Sequence, residues 1–113
     1  MKLSYILLLL MALFFFCVGI CTSQVSVTHF NSSWNTDNGF NITGLKDCKL
    51  DSIIICDNPE IKEEHKIMSV PTVIIFDEGQ EVIRFEANIM MQIEATRKEI
   101  QKEIDKIYLA KFE

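Results

Sequence analysis

Between Asp51 and Asp77 the chain runs twice through a short string of apolar, mostly β-branched residues, and this repetition restricts the fold more than any other feature. Ser52-Ile53-Ile54-Ile55-Cys56 is closed at both ends by acids, and Thr72-Val73-Ile74-Ile75-Phe76 is opened by Pro71 and closed by Asp77. Strings this short and this rich in isoleucine and valine read as strands buried on both faces. Between them Asn58 offers a helix N-cap and Pro59 suits the first helical position. Glu60, Glu63 and Glu64 come next, near the positive end of the helix dipole. The pattern predicts a helix ending near Ile67, and so a strand-helix-strand unit.

The flanks extend that unit. Val25 to Asn31 reads V-S-V-T-H-F-N, the alternation of a β-strand. The asparagine- and glycine-rich stretch after it suggests a loop, with at best a short helix between about Phe40 and Cys48. Asp77-Glu78-Gly79-Gln80 supplies turn residues before a strand from Glu81 to Ala87. Ile83, Phe85 and Ala87 share one face of that strand, as expected of a half-exposed edge. From Ile89 onward apolar residues recur at 93, 100, 104 and 107, which predicts a closing helix of about 22 residues and about 33 Å. Its end, from Tyr108 to Phe112, is expected to project beyond the sheet and to be open to self-association. Glu99, Glu103, Lys102 and Lys106 have the spacing of intrahelical ion pairs on a solvated face. The order β-α-β-α-β-β-α describes an α/β domain. Its central mixed four-stranded sheet should have the first two strands parallel, the last two an antiparallel hairpin, and helices on both faces.

Before all this stands an uninterrupted apolar run from Ile6 through Ile20, with Lys2 ahead of it and Cys21-Thr22-Ser23 behind. This is the pattern of an export signal, cleaved after Cys21 or Ser23, or of a retained anchor with the domain outside. A bulky residue before Cys21 suits lipid attachment poorly. The expected division is a leader over residues 1–23 and one domain over 24–113. Any membrane contact would be made through an uncleaved leader. Lys2 is the leader's only charge, so the rest carries 10 basic and 16 acidic groups. That balance repels phosphates and excludes a nucleic-acid partner.

Asp57-Asn58-Pro59-Glu60, Ile67-Met68-Ser69-Val70-Pro71-Thr72 and the following Val-Ile-Ile-Phe-Asp-Glu-Gly together resemble the thioredoxin family, well over Asp51 to Ala87 and fairly over Val25 to Trp34. The resemblance implies the thioredoxin-like fold and a cis peptide bond before Pro71. It also implies a functional corner after the first strand, where Trp-Cys-x-x-Cys normally stands. Here that segment is Trp34-Asn35-Thr36-Asp37-Asn38. An amide can neither become a thiolate nor leave as one, so the resemblance implies a short member without redox catalysis. In the family the backbone beside the cis proline pairs with an extended peptide, which needs no cysteine. Trp34, Asn35, Thr36, Asp37, Asn38, Val70 and Pro71 are thus the candidate binding residues for a protein or peptide partner. The loop asparagines and Asp37 are equally suited to capping a following helix.

Cys48 and Cys56 are the cysteines outside the leader. Strand geometry holds them about 15 Å or more apart, which disfavours a bridge. Cys56 is expected in the core and Cys48 as a free or partly buried thiol. An enzyme using either one for thiol-disulfide exchange is the alternative function, and a structural component of an envelope or virion the second alternative. His29 replaces a buried acid of the family. It reads as a hydrogen-bonded histidine on a sheet face, or as a pH-sensitive group. His65 reads as a solvated helix residue. With no paired cysteine or histidine motif, neither a metal site nor a cofactor is expected. Asn31-Ser32-Ser33 and Asn41-Ile42-Thr43 are glycan acceptor patterns.

Overall fold

The computed structural model describes residues 3–7, which are helical, and residues 24–111. The leader expected over residues 1–23 therefore falls largely outside the described residues. Among the described residues no helix is long and apolar enough to cross a membrane.

The elements in chain order are β1 (Val25–Asn31), a 3-10 segment (Ser33–Asn38), β2 (Lys49–Ile54), α1 (Pro59–Glu64), β3 (Thr72–Asp77), β4 (Gln80–Glu86) and α2 (Arg97–Lys111). The strands form one sheet in the order β2-β1-β3-β4. β1 and β2 are parallel, with Asn31 opposite Ile54. β3 runs antiparallel to both its neighbours, pairing Thr72 with Phe30 on one side and with Glu86 on the other. This is the expected α/β architecture.

Alternation along β1 and β3 supplies two cores, since successive side chains leave a strand on opposite faces. Val25, Val27, Val73 and Ile75 meet Ile100 and Ile104 of α2, with Ile42 and Leu45 from the loop before β2. Phe30, Ile74 and Phe76 meet Ile55, Ile67 and Val70 on the other face, joined by Ile53 and by Ile61 of α1.

Several elements differ from the sequence expectation. β2 lies at the sheet edge and is half exposed, not buried on both faces; it ends at Ile54, and the core contact passes to Ile55 in the turn beyond. No helix forms between Phe40 and Cys48. The loop there is held by α2, whose Gln101 side chain takes both backbone groups of Lys46, at 2.8 and 3.1 Å. The Arg97 guanidinium donates to the Thr43 carbonyl at 2.8 Å. Asn58 does not cap α1 with its side chain but donates back to the Ile54 carbonyl at 3.0 Å.

The last helix starts at Arg97, not near Ile89. Asn88 folds residues 88–92 into a turn, its side-chain oxygen accepting from the N–H groups of Met90 and Gln92 at 2.9 and 3.2 Å. Thr96 then accepts from the Glu99 N–H at 3.2 Å, as an N-cap does. α2 therefore spans about 22 Å rather than about 33 Å. Its described end does not project. The Tyr108 hydroxyl donates to the Asp47 carbonyl at 2.6 Å, and Lys111 pairs with Asp77 at 2.7 Å. Phe112 lies outside the described residues. On the helix surface, Lys106 pairs with Glu103 at 3.2 Å.

Candidate functional site

The strand directions decide where a site can be. Because β1 and β2 are parallel, the residues after Asn31 and after Ile54 emerge at the same end of the sheet. β3 enters at that end through Val70-Pro71, and β4 leaves there toward Asn88. Four connections converge, as they do at the carboxyl ends of parallel strands in open α/β sheets.

At their meeting point the Val70-Pro71 peptide bond is cis, as the resemblance implied. Facing it, in place of sulfur, is a chain of amides. Asn38 Nδ2 donates to Asn35 Oδ1 at 3.1 Å. Asn35 Nδ2 donates to Asn31 Oδ1 at 3.2 Å and to the Val70 carbonyl at 3.3 Å. Asn31 Nδ2 closes the loop on the Asn35 carbonyl at 3.0 Å. Both inner amides are buried, so each unpaired group would cost about 1–3 kcal/mol, and the network leaves none of the shared ones open. The network also settles the Asn31 glycan pattern: that side chain is inside the fold.

The candidate binding residues therefore divide. Trp34 is 64% exposed, and Thr36, Asp37 and Asn38 are exposed as well. Asn35 is only 3% exposed and spends its amide inside the protein, so it does not present its side chain to a ligand. Pro71 is likewise fully buried and supports the corner from below. Val70 is buried, and its carbonyl, the acceptor that strand addition would use, already receives Asn35.

Beside this corner lies a groove of 570 Å³. Its floor includes Ile55, Ile67 and Val70; its rim carries Trp34, Met68, Ile89 and Met91. Met68 is 86% exposed and Ile89 99%, an unusual outlay of apolar surface for one end of a small domain. A second cleft, of 830 Å³, opens between residues 44–47 and α2. Lys46, Arg97, Lys98 and Lys102 line it, but Arg97 and Gln101 are already engaged in holding the loop.

Cys56, expected in the core, is not there. It is an exposed free thiol in the turn after β2, on the wall of the groove with Trp34 and Val70. Ile55 is the residue that turns inward, which leaves its neighbour facing out. Hydrogen bonds from the Ser32 hydroxyl and the Ser33 backbone hold the Cys56 thiol below its ordinary range, against the charge of Asp57. Cys48 is a partly buried free thiol packed on the cluster under α2, across the sheet. Burial, with Asp47 adding to it, pushes that thiol up. Cys48 and Cys56 lie beyond opposite ends of β2, as expected, and also on opposite faces of the sheet.

His29 accepts the Phe40 N–H at Nε2, at 3.1 Å, so it is the hydrogen-bonded sheet histidine expected, and burial lowers its pKa. His65 is not a solvated helix residue. It lies between the rings of Phe30 and Phe76, at 5.5 and 5.4 Å. Among the described residues no three His, Cys, Asp or Glu side chains gather as metal ligands would.

No protein-family model matches the chain, and neither does any curated protein sequence. Solved structures do. Thioredoxin 1 from Thermosipho africanus superposes with a TM-score of 0.59 at 20% identity, over 78% of this chain and 99% of its own. A thioredoxin-2 described as a component of malaria parasite protein secretion machinery gives 0.61 at 17% identity, over 75% and 84%. A mutant thioredoxin from Halobacterium salinarum gives 0.57 at 16%, over 74% of each chain. The fold is thioredoxin-like. At such identities the likeness carries the scaffold alone, and no thioredoxin-type cysteine pair stands at its corner.

Sequence reasoning weighed Cys56 only for the alternative thiol chemistry and placed it in the core, and it missed Met68 and the Ile89–Met91 segment as parts of the groove. A signal for Cys56 was present: parallel β1 and β2 place the residues after them side by side. Met68 stands within the motif that carried the resemblance, three residues before Pro71. Nothing local marked Ile89, whose spacing continues that of the helix.

Proposed function

We propose that the chain is an exported protein whose first 23 residues direct or anchor it. Residues 24–113 then form a thioredoxin-fold module that binds an extended polypeptide and performs no dithiol catalysis. One observation carries the reading: hydrogen-bonded amides fill the place of the attacking and resolving sulfurs, while the rim beside them keeps Trp34, Met68 and Ile89 in solvent. The corner is thus built to hold its shape, and the apolar rim to be covered. Methionine side chains, flexible and polarisable, suit a surface that accepts several sequences. The Val70 carbonyl receives Asn35 on one of its two lone pairs, so a peptide pairing there would share that acceptor, and the apolar side chains of the rim would add to the contact.

Trp34 reports binding directly. Titrating a short apolar, cysteine-free peptide into the protein should shift Trp34 fluorescence to the blue with saturation, and Met68→Ala with Ile89→Ala should weaken the affinity about tenfold, consistent with loss of apolar anchors. Insulin reduction should show no turnover above a cysteine-free control. A flat titration would remove the binding reading.

A further inference from the structure

The chain carries two glycan acceptor patterns, Asn31-Ser32-Ser33 and Asn41-Ile42-Thr43, and the fold treats them in opposite ways. Around the second, the loop before β2 alternates between core and solvent. Ile42 and Leu45 are buried in the cluster under α2, and the Leu45 N–H closes a turn on the Ile42 carbonyl at 3.3 Å. Gly44 supplies the positive φ of 94° that this turn requires. With Ile42 and Leu45 directed inward, Asn41 and Thr43 stand exposed. Asn41 Oδ1 accepts from the Thr43 N–H at 3.0 Å and from the Thr43 hydroxyl, as in an Asx-turn. The oxygen is thus engaged inside the loop. Among the described residues none accepts from Nδ2, the atom to which a glycan is joined.

At Asn31 the arrangement is reversed. The residue is buried, and its Nδ2 is spent on the Asn35 carbonyl at 3.0 Å. A methyl group added at Gly39 would already stand 3.3 Å from that nitrogen, so no sugar ring fits beside it. A chain glycosylated at Asn31 therefore cannot close the amide corner.

We infer that Asn41 is the N-glycan site of this chain and that Asn31, despite its matching pattern, stays unmodified in the folded protein. This rests on the export proposed above, because the transfer takes place across the membrane, and is independent of what the groove binds. The donor is an oligosaccharide joined through a diphosphate to a polyprenol, and a transferase of the export compartment supplies the catalysis. Asn41 Nδ2 attacks the anomeric carbon of the donor sugar. The new carbon–nitrogen bond forms, the bond from that carbon to the diphosphate oxygen breaks, and the lipid diphosphate leaves with the electron pair while Nδ2 gives up one proton. Asn41 does not line the groove, and its loop packs on the α2 side of the sheet, so the glycan leaves the groove open.

The test produces the full chain, with its own leader, in a eukaryotic secretory host. Protease protection in isolated microsomes reports export. Folded protein is then treated in heavy-oxygen water with the amidase that releases N-glycans, which marks each glycosylated asparagine as a labelled aspartate, and peptides are mapped by mass. The label should fall on residue 41 alone. Asn41→Gln and Thr43→Ala should each abolish it; Thr43→Ala keeps the acceptor side chain and the loop backbone, so its effect is on the transfer. Ser33→Ala destroys the other pattern without touching Asn31 and should leave the label unchanged. A label at residue 31 in folded protein, or a protease-protected chain with no label at residue 41, overturns the inference while leaving export standing. A chain that stays accessible to protease sinks the export reading and the site with it.

Discussion

The two faces of the sheet draw on alternate residues of the same strands and are both buried, yet they are covered by very different elements. On one face α2 lays Ile100 and Ile104 over Val25, Val27, Val73 and Ile75, and all six are essentially inaccessible. On the other face α1 is a single short helix of six residues, and it buries none of its own side chains fully. Phe30, Ile74 and Phe76 are covered there partly by Ile67 and Val70, and the end nearest Pro71 is left as a groove. The exposed apolar side chains of Met68, Ile89 and Met91 gather at that end. The two thiols divide in the same way, Cys48 with the face under α2 and Cys56 with the groove.

The sharpest way to break this comparison is to cut into both faces. Ile104→Ala should cost about 2–5 kcal/mol in urea unfolding, since the side chain is fully buried and the cavity cannot be refilled from solvent. Met68→Ala should stay within about 0.5 kcal/mol. Comparable losses would mean that the open rim is part of the core. Next in size, Asn35→Ala should cost about 1–3 kcal/mol, because it strips a donor from both the Val70 carbonyl and Asn31 Oδ1. Cavity formation and network loss differ here, since Asn35→Asp would keep the volume and still lose the donor.

The thiols sharpen the contrast kinetically. Alkylation of Cys56 should reach half its limiting rate at a lower pH than that of Cys48, with about a tenfold difference in rate near neutrality. Mapping of alkylated peptides across pH measures it. The smallest effect belongs to His29. Its folded pKa lies below the ordinary 6.5, so the unfolded chain binds the proton more readily. Stability from this residue is complete above about 6.5 and declines as pH falls from there toward the lower folded value. His29→Gln, which retains an acceptor for the Phe40 N–H, should flatten that slope in paired unfolding curves.

β3 was legible because its apolar run is buried on both sides and bounded by Pro71 and Asp77, signals carried by the segment itself. β2 reads the same way locally, but whether such a strand is central or at an edge depends on its neighbours, and the sheet order placed it outermost. The start of α2 was obscured because apolar spacing continues back to Ile89, while the Asn88 and Thr96 side chains satisfy N–H groups that a longer helix would need. At the site, the loss of the cysteine pair was plain from Asn35 and Asn38. That Asn35 turns inward to Val70 was not, because a polar residue in a loop is read as solvent-facing until its partner is known. Cys56, named only for the alternative thiol function, was misplaced for the opposite reason: an apolar run suggested burial throughout, whereas the strand stops at Ile54 and the following turn reverses the facing.

The amide chain through Asn31, Asn35 and Asn38 has a consequence for where such a corner can operate. A cysteine pair there would exist in oxidised and reduced forms, each with its own shape, and its surroundings would choose between them. Carboxamides do not ionise between mildly acidic and mildly alkaline solution, and they exchange no electrons with glutathione. The corner around Pro71 therefore has no redox couple of its own at positions 35 and 38, and the sulfur chemistry beside it rests with Cys56 and the thioethers of Met68 and Met91.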